Sequence, residues 1–425
     1  MIPAKGRTTG EAMSWWENEF IGVRDGKLSL AGRTAERLAA RHGTPLYVYG
    51  RARIRANIVR LRDAFAPLAP RPVRFCYAMK ANPHPGILRT MRAAGLWIDA
   101  VSPLEINRAR ESGFPASRII FTGTSLSTED LRAAFAIEGL VVNIDALEQI
   151  DLMARVRDRW FGGRAVRVSI RWNPGVGRGF NPKAVTAGER NSEGTPIKFG
   201  VEESKVLPAF RAAAGRGFVP VGLHQHLGSG WVADDFPDVA AAVDRMAAKA
   251  AEIETAGFPL AFLDFGGGFA QPYSRGQRPF PLARYARRIG RAVERAGLTA
   301  AVLIEPGKFL VADAGVLLLG VSYVKNSYGN IFACVDGGTF NTLPRPAIYA
   351  QAYHHIVNAS RPGPGPTVPV TVAGHLCETG DVFGKDLRMP EPREGDVLAV
   401  LGAGAYARSM ASNYNLRPIP GEILI

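Results

Sequence analysis

The sequence predicts an α/β fold in which a (β/α)8 barrel is joined to an antiparallel β domain. Between residues 74 and 305, eight short apolar runs alternate with Ala-, Arg- and Glu-rich segments of helical spacing. This number of repeats is typical of a closed barrel, and a doubly wound open sheet is the alternative. After residue 312, strand-like runs follow one another without long helices, which indicates an antiparallel sandwich or barrel.

Eight segments are predicted to form the strands of the barrel. Each is bounded by Gly, Pro or Asn, which commonly end strands. The segments between them, such as 234–256 and 282–296, have the apolar spacing of helices. The predicted strands are 74–79, 97–101, 118–122, 140–144, 166–172, 220–226, 261–265 and 301–305.

The β domain is predicted to be built from both ends of the chain. The runs at 19–23 and 28–30 are strand-like and are expected to join the later strands. Those later strands are predicted at 315–325, 331–336, 368–373, 396–401 and 422–425. The barrel, residues 46–312, would therefore be inserted into a β domain made of residues 1–45 and 313–425.

Composition excludes several classes of protein. With 47% apolar and 21% charged residues the chain is typical of a folded protein. The net charge of +14 comes from scattered arginines without a basic block, which favours a small anionic substrate over nucleic acid. No apolar run is long enough to span a membrane, and the first twenty residues lack a signal-peptide pattern. Three cysteines, Cys76, Cys334 and Cys377, suit a reducing compartment, so we expect a cytoplasmic protein.

Side chains with chemical uses lie at the carboxyl ends of the predicted strands, where such barrels hold their active sites. Lys80 follows an apolar strand in YAMKAN, and apolar surroundings lower the pKa of a lysine. The neutral amine is the form that attacks a carbonyl carbon. Taken alone, a surface lysine at a strand end is the simpler interpretation. The other groups at these ends are Asp99, Asn143, Arg171, His226, Gly266, Gly267, Gly268 and Glu305.

The three consecutive glycines follow the seventh predicted strand in LDFGGGFAQPY. Backbone amides without side chains can converge on a phosphate, and the loops after strands seven and eight commonly bind phosphate in such barrels. Tight turns use the same residues, so the triplet alone is weak evidence. Ser229 in HLGSG is a candidate hydroxyl donor to the same anion.

His224 and His226 lie two residues apart on a predicted strand and face the same side. No third His or Cys has usable spacing, so we predict no metal site. His226 is a candidate for stacking on an aromatic cofactor, with a buried structural histidine as the alternative. Glu305 in LIEPGK could hold a proton on a heteroaromatic nitrogen. Pyridoxal 5'-phosphate combines a phosphate, such a nitrogen and a carbonyl open to lysine.

Several long motifs in the same order resemble those of the fold-type III pyridoxal-phosphate-dependent amino-acid decarboxylases, which have an alanine-racemase-like barrel. Among them the sequence is most similar to the diaminopimelate decarboxylases, from about residue 44 to residue 425. The motifs are YAMKAN (77–82), ESGFPASRIIFTG (111–123), GLHQHLGSG (222–230), LDFGGGFAQPY (263–273), EPGKFLVADAGVLL (305–318), RPAIY (345–349), CETGDVFGKD (377–386) and GAGAYARSMASNYNLRP (402–418).

The resemblance implies roles for the matched positions. Lys80 would bind the cofactor covalently, His226 would stack on its ring, and Glu305 would contact its ring nitrogen. Further cofactor contacts would come from Asp99, Ser229, Gly266, Gly267, Gly268, Gly307, Lys308 and Tyr406. Substrate contacts would come from Lys308, Arg345, Tyr349, Glu378 and Tyr406. Cys377 would be a second catalytic residue near the reacting carbon, and Cys377 and Glu378 would reach the neighbouring subunit's site in a homodimer.

The implied reaction is decarboxylation of meso-2,6-diaminopimelate to L-lysine, a step of lysine biosynthesis. Two departures from the family pattern bear on the substrate. Lys308 stands in EPGK where the family has arginine, and it offers a point charge in place of a two-pronged donor. The loop 177–200 is longer than the common form and is a candidate lid.

Three other functions stay open. A decarboxylase acting on ornithine, lysine, arginine or a specialised-pathway intermediate is one, although such relatives usually lack RPAIY together with CETGD. A cofactor-binding protein without catalysis is another, and the intact Lys80, Cys377 and Glu378 argue against it. An alanine-racemase-like enzyme is the third, but HLGSG and CETGD favour decarboxylation.

Overall fold

The computed structural model describes residues 14–363 and 365–425. The expectations for residues 1–13, that they lack an export signal and belong to the β domain, lie outside the described residues. The chain forms two compact units. The barrel unit comprises Ile58–Gln271 and Arg278–Phe309, and the β unit comprises the described residues up to Asn57 with Pro272–Gln277 and Leu310–Ile425.

The described residues form nineteen strands and twelve α-helices. The strands are β1 (Ile21–Arg24), β2 (Lys27–Leu30), β3 (Arg33–Thr34), β4 (Leu46–Tyr49), β5 (Val73–Ala78), β6 (Trp97–Ala100), β7 (Ile119–Phe121), β8 (Val141–Ile144), β9 (Arg167–Arg171), β10 (Val219–His224), β11 (Phe262–Asp264), β12 (Ala301–Ile304), β13 (Gly315–Ser327), β14 (Asn330–Val335), β15 (Ile356–Asn358), β16 (Val368–Ala373), β17 (Val382–Met389), β18 (Val397–Leu401) and β19 (Gly421–Leu424). The helices are α1 (Ala35–His42), α2 (Arg51–Phe65), α3 (Pro85–Ala93), α4 (Pro103–Glu111), α5 (Thr128–Phe135), α6 (Gln149–Phe161), α7 (Val206–Gly215), α8 (Phe236–Thr255), α9 (Leu282–Arg295), α10 (Lys308–Val311), α11 (Thr339–Thr342) and α12 (Arg345–Ile348).

The barrel unit contains a closed barrel of eight parallel strands, β5 to β12, in chain order. Pairing of β12 with β5 closes the ring, which confirms the predicted barrel and excludes the open sheet. The ends of the eight strands agree with the predicted ones within two residues. Apolar side chains such as Cys76, Ile120 and Leu303 cluster among these strands. Polar side chains are frequent at the carboxyl ends of the strands, and this end of the barrel holds the candidate site.

The helices of the barrel unit explain the scattered arginines. In α9, Tyr285, Ile289 and Val293 are buried at helical spacing. The arginines of the same helix, such as Arg287 and Arg291, lie between these positions. The basic charge in this helix is therefore the polar side of an amphipathic element. None of the described helices is long and apolar enough to cross a membrane.

The β unit has one large sheet in the order β15-β18-β13-β14-β16-β17, to which β4 and β19 are attached through β13. Most neighbours are antiparallel, but β14 pairs with β16 and β4 pairs with β19 in parallel. The predicted antiparallel sheet is therefore corrected to a mostly antiparallel one. The long connection between β14 and β16 supplies the crossover that a parallel pair requires.

The amino-terminal strands β1, β2 and β3 form a separate small sheet. Phe20, directly before β1, and Leu28 of β2 pack in one cluster with Val316 and Val397 of the large sheet. Strand β4 begins just after the predicted boundary at residue 45, yet it pairs with β13 and β19. All four residues of β4 are buried, so this run completes the β unit instead of opening the barrel.

Candidate active site

Lys80 and Asp99 form an ion pair at the mouth of the barrel. Lys80 lies in a short 3-10 turn, Met79–Ala81, directly after β5, and Asp99 is in β6. Lys80 Nζ is 3.0 Å from Asp99 Oδ2, with the lysine side chain 34% exposed and the aspartate fully buried. Burial and the nearby Glu305 raise the pKa of Asp99, and Lys80 opposes this effect. The pair holds a partly exposed amine over a buried carboxyl group.

Three buried side chains meet at the ends of β10, β11 and β12. His224 Nε2 lies 3.3 Å from Glu305 Oε1, and atoms of His224, Asp264 and Glu305 all lie within 4.8 Å of one another. Burial favours protonation of Glu305, but His224, Lys80 and His226 outweigh it and lower its pKa to about 2. Burial and the charge of Glu305 raise the pKa of Asp264 well above its ordinary value. Of the two carboxyl groups, Glu305 is therefore the one that is ionised at neutral pH.

Asp264 was not predicted as a site residue. Only His and Cys were considered as partners of the histidine pair, whereas the structure adds two carboxyl groups. A metal ion could contact all three side chains. The pKa of Asp264 is raised and that of Glu305 is lowered, so the two carboxyl groups differ in their preferred protonation state. The available signal was the position of Asp264 at a strand end.

His226 lies further towards the mouth, with its side chain 16% exposed. Its Nδ1 accepts a hydrogen bond from the amide of Gly267 at 3.2 Å. Burial, with Lys80 as the next cause, lowers the pKa of His226 to about 3. The imidazole is therefore neutral at physiological pH, with its orientation fixed by a backbone donor.

The glycine triplet forms a wall between the segments that follow β10 and β12. A Cβ atom on Gly267 would collide with the carbonyl oxygen of Glu305, and one on Gly268 would collide with Trp231. Gly268 has a φ of +127°, a conformation that side chains disfavour. The Gly266 amide donates to Asp264 Oδ1 at 2.9 Å, and the Gly267 amide donates to His226. Two of the three amides are thus used within the protein, and their glycines provide close backbone approach.

Ser229, Gly307 and Lys308 complete the predicted residues of the barrel unit. The half-buried Ser229 donates its amide to the carbonyl of Ala184 at 3.0 Å. Gly307 lies against the Lys80 turn, because a Cβ there would stand 3.1 Å from the Cβ of Ala78. Lys308 begins α10 and is 5% exposed. These three residues and the groups above therefore all follow barrel strands at the same end.

The remaining predicted residues belong to the β unit and are described within it. Arg345 is buried, with its guanidinium carbon 4.6 Å from the centre of the Tyr273 ring and Nη1 2.9 Å from His354 Nε2. The amide of Tyr349 donates to the carbonyl of Arg345 at 2.8 Å. Tyr406 is half-buried with a φ of +54°. Arg345 is thus held by a ring and a histidine, contacts that the sequence did not reveal.

Cys377 and Glu378 are exposed in the loop before β17. The Cys377 amide donates to Asn415 Oδ1 at 2.9 Å, and the Tyr414 hydroxyl donates to Glu378 Oε1 at 2.6 Å. This loop is therefore tied to the segment around residue 415, and both residues are exposed.

Comparison with known proteins identifies the family. The profile described as "Pyridoxal-dependent decarboxylase, pyridoxal binding domain" matches residues 51–312. A diaminopimelate decarboxylase of Methanothermobacter thermautotrophicus is 40% identical over 412 residues, covering 95% of this chain and 92% of that protein. This chain therefore belongs to the pyridoxal-dependent decarboxylases. It is a carboxy-lyase acting on an amino acid, and its cofactor is pyridoxal 5'-phosphate.

Solved structures agree with this assignment. Diaminopimelate decarboxylase from M. jannaschii in complex with L-lysine has a TM-score of 0.86 and 30% identity, covering 96% of this chain and 93% of that chain. The enzyme from Helicobacter pylori, also complexed with L-lysine, has a TM-score of 0.83 and 32% identity, with coverages of 92% and 93%.

The mouth of the barrel fits pyridoxal 5'-phosphate. Glu305 Oε1 is buried and accepts no hydrogen bond from the described residues, since its contact with His224 is not aligned as one. It can therefore accept a hydrogen bond from a protonated ring nitrogen. Lys80 supplies an amine, and His226 supplies a flat neutral ring. Because Gly266, Gly267 and Gly268 have no side chains, a phosphate could come close to the backbone of this segment.

Proposed function

We propose that this enzyme decarboxylates meso-2,6-diaminopimelate to L-lysine and carbon dioxide, a step of lysine biosynthesis. The observation that carries the proposal is 40% identity, across 95% of the chain, to a protein named diaminopimelate decarboxylase. Complexes of two similar solved enzymes with L-lysine support it. The alternative is that the enzyme decarboxylates another diamino acid. Lys308 supports this alternative, because it stands where the family has arginine.

In this proposal, the cofactor supplies an electron sink for the bond that joins the α-carbon to the departing carboxylate. Lys80 would hold the cofactor through its amine, and Asp99 would pair with the Lys80 ammonium whenever that amine is released. His226 would face the cofactor ring as a neutral group. Glu305 keeps a proton on the ring nitrogen, and His224 favours the ionised form of this carboxylate.

After carbon dioxide leaves, the α-carbon must receive a proton. Cys377 and Lys80 are the proposed donors, since a thiol and an ammonium each carry a transferable proton. Lys80 would hold the cofactor again once the product amine has left. Because Lys80 already faces the Asp99 carboxyl group, a protonated Lys80 would be stabilised between these steps.

The distal end of the substrate carries an ammonium and a carboxylate. We propose that Glu378 binds the ammonium and that Arg345 and Lys308 bind the carboxylate, following the complementarity of charge. Tyr349 and Tyr406 are the proposed hydroxyl contacts. The remaining proposed cofactor contacts are Ser229, Gly266, Gly267, Gly268, Gly307, Lys308 and Tyr406.

We also propose a cytoplasmic homodimer in which Cys377 and Glu378 serve the partner's site. The exposure of both residues on the isolated chain supports this arrangement. Cys76, Cys334 and Cys377 are all free thiols, a state that suits a reducing compartment.

The test is carbon dioxide release from the purified, cofactor-loaded enzyme with meso-diaminopimelate, ornithine, lysine and arginine in parallel. We expect release from meso-diaminopimelate with an equal amount of L-lysine, and loss of this release in Lys80→Ala. Release from one of the other amino acids instead would contradict the substrate. Failure with all four, in protein that binds the cofactor, would contradict both the substrate and the alternative diamino acids tested.

A further inference from the structure

The loop 177–200 brings an aromatic ring onto Lys308. The Nζ atom of Lys308 lies 4.6 Å from the centre of the Phe180 ring, and the lysine is almost fully buried. This distance is within the range of a cation–π interaction, which is strongest when the pair is shielded from water. The two residues come from different segments, one following β9 and one following β12.

The position of the Phe180 ring is fixed by its neighbours. The Phe180 amide donates to the carbonyl of Ser229 at 2.9 Å, and a side chain on Gly230 would collide with the ring. On one side, the carbonyl of Arg178 accepts a hydrogen bond from the Trp231 indole at 2.9 Å. The ring is therefore held by the same segment, 226–231, that carries His226 and Ser229.

The outer side of the loop is anchored as well. The Arg178 guanidinium lies 2.7 Å from Asp238 and 3.3 Å from Asp235 at the start of α8. The Thr186 hydroxyl donates to the carbonyl of His226 at 2.9 Å. The loop 177–200, which the sequence marks as a candidate lid, is thus anchored on both sides of Phe180. It holds the Phe180 ring next to the Lys308 ammonium.

An aromatic ring attracts an ammonium without adding negative charge. A carboxylate in the same place would neutralise Lys308 and weaken its attraction for an anion. An aromatic ring in that place adds no negative charge next to Lys308. It also restricts a side chain that otherwise has many rotamers.

We propose that Phe180 is a positioning residue that holds the Lys308 ammonium where it binds an anionic oxygen of the cofactor phosphate or the substrate carboxylate. The inference rests on the proposed role of Lys308 in ligand binding. It makes the loop 177–200 a determinant of affinity.

The experiment compares Phe180→Leu and Phe180→Tyr in the full-length protein. Leucine removes the ring face and tyrosine keeps it, so only Phe180→Leu should weaken the ligand. We expect a loss of about 5- to 30-fold, the range of a desolvated cation–π contact. Binding of pyridoxal 5'-phosphate and of pyridoxal is measured by absorbance titration. The KM is then measured in cofactor-saturated enzyme on whichever amino acid the wild type decarboxylates.

The cofactor titrations and the KM together show whether Lys308 binds the cofactor phosphate or the substrate carboxylate. If Lys308 meets the phosphate, the Kd for pyridoxal 5'-phosphate rises and that for pyridoxal does not. If it meets the carboxylate, both cofactor Kd values stay constant and KM rises. The control is Phe218→Leu, because Phe218 also lies 4.6 Å from a cation, Arg157, outside the mouth. The cofactor arms need no substrate, so their result is independent of the proposed reaction.

A double-mutant cycle with Lys308→Met tests whether the Phe180 ring acts through the lysine. Phe180→Leu should weaken the ligand when Lys308 is present and should have little further effect in Lys308→Met. Equal effects of leucine and tyrosine at position 180, no effect of either, or additive effects in the cycle would overturn the proposal.

Discussion

The Nε2 atom of His224 lies 3.3 Å from Oε1 of Glu305, and both side chains are buried inside the barrel. Burial would favour protonation of Glu305, but His224 is the largest of the opposing influences that lower its pKa to about 2. Asp264 in the same cluster has a raised pKa. The cluster thus provides one ionised carboxylate at the carboxyl end of β12, which is the group that the proposed mechanism requires.

Replacement of Glu305 by Gln should leave the cofactor bound and slow decarboxylation. The amide keeps the size of the side chain but cannot hold a proton on the ring nitrogen, so we expect kcat to fall about 10²- to 10³-fold. The measurement is kcat together with the Kd for the cofactor. Glu294→Gln, at an exposed position of α9, is the control. An unchanged kcat in Glu305→Gln would contradict the role of this carboxylate.

The pH dependence of stability should depend on His226. Its pKa is about 3 in the folded protein and about 6.5 when unfolded, so only the unfolded chain binds this proton in between. The stabilisation is therefore complete above pH 6.5 and is lost as the pH falls towards 3. Between pH 7 and pH 5 the loss from this group is about 2 kcal/mol.

Urea unfolding at pH 7 and pH 5 measures this effect. In His226→Gln the destabilisation at pH 5 should be smaller than in the wild type by that amount. The exposed His42, replaced by Gln, should leave the wild-type difference intact. The same pH dependence in all three proteins would show that His226 is not the group that titrates.

Replacement of Gly267 by Ala should impair both folding and cofactor binding. Its Cβ would collide with the carbonyl oxygen of Glu305, and overpacking of this kind costs about 1–3 kcal/mol or more. Gly290→Ala on α9 is the matched control, since the nearest atom to its Cβ is 3.8 Å away. Alanine in that helix should be neutral or stabilising. Thermal unfolding and cofactor titration measure the two effects. The thermal midpoint and the cofactor affinity should fall in Gly267→Ala, and neither should fall in Gly290→Ala.

The fold was largely predictable because buried parallel strands are apolar runs with clear ends. Strand β17 was missed, since it carries Lys385, Asp386 and Arg388 and has no continuous apolar run. Strand β15 is only three residues long, too short for a periodic signal. The parallel pairs in the β unit depend on tertiary contacts that local patterns do not contain.

The positions of some predicted site residues follow from the strand ends. The structure places Lys80, Asp99, His226 and Glu305 at the same end of the barrel, as the sequence predicts, and their roles stay predictions. The contact between Phe180 and Lys308 was not predictable, because the two residues are far apart in sequence and meet only when β9 and β12 join one barrel. In the sequence, Lys308 and the long loop 177–200 are two separate departures from the family pattern.

The proposed shared active site predicts complementation between inactive variants. Lys80→Ala and Cys377→Ala should each be nearly inactive. Subunits mixed after mild denaturation should recover about a quarter of wild-type activity, since half of the dimers are mixed and each mixed dimer has one intact site. Activity of the mixture no higher than that of the separate variants would contradict a site completed by the partner.

The most direct test of the account is the identity of the residue that carries the cofactor. Borohydride reduction of the cofactor-loaded enzyme, followed by peptide mass spectrometry, marks that amine permanently. The account predicts one pyridoxyl group per chain, on Lys80. A pyridoxyl group on Lys308 or on another lysine, or none in protein that binds the cofactor, would contradict it.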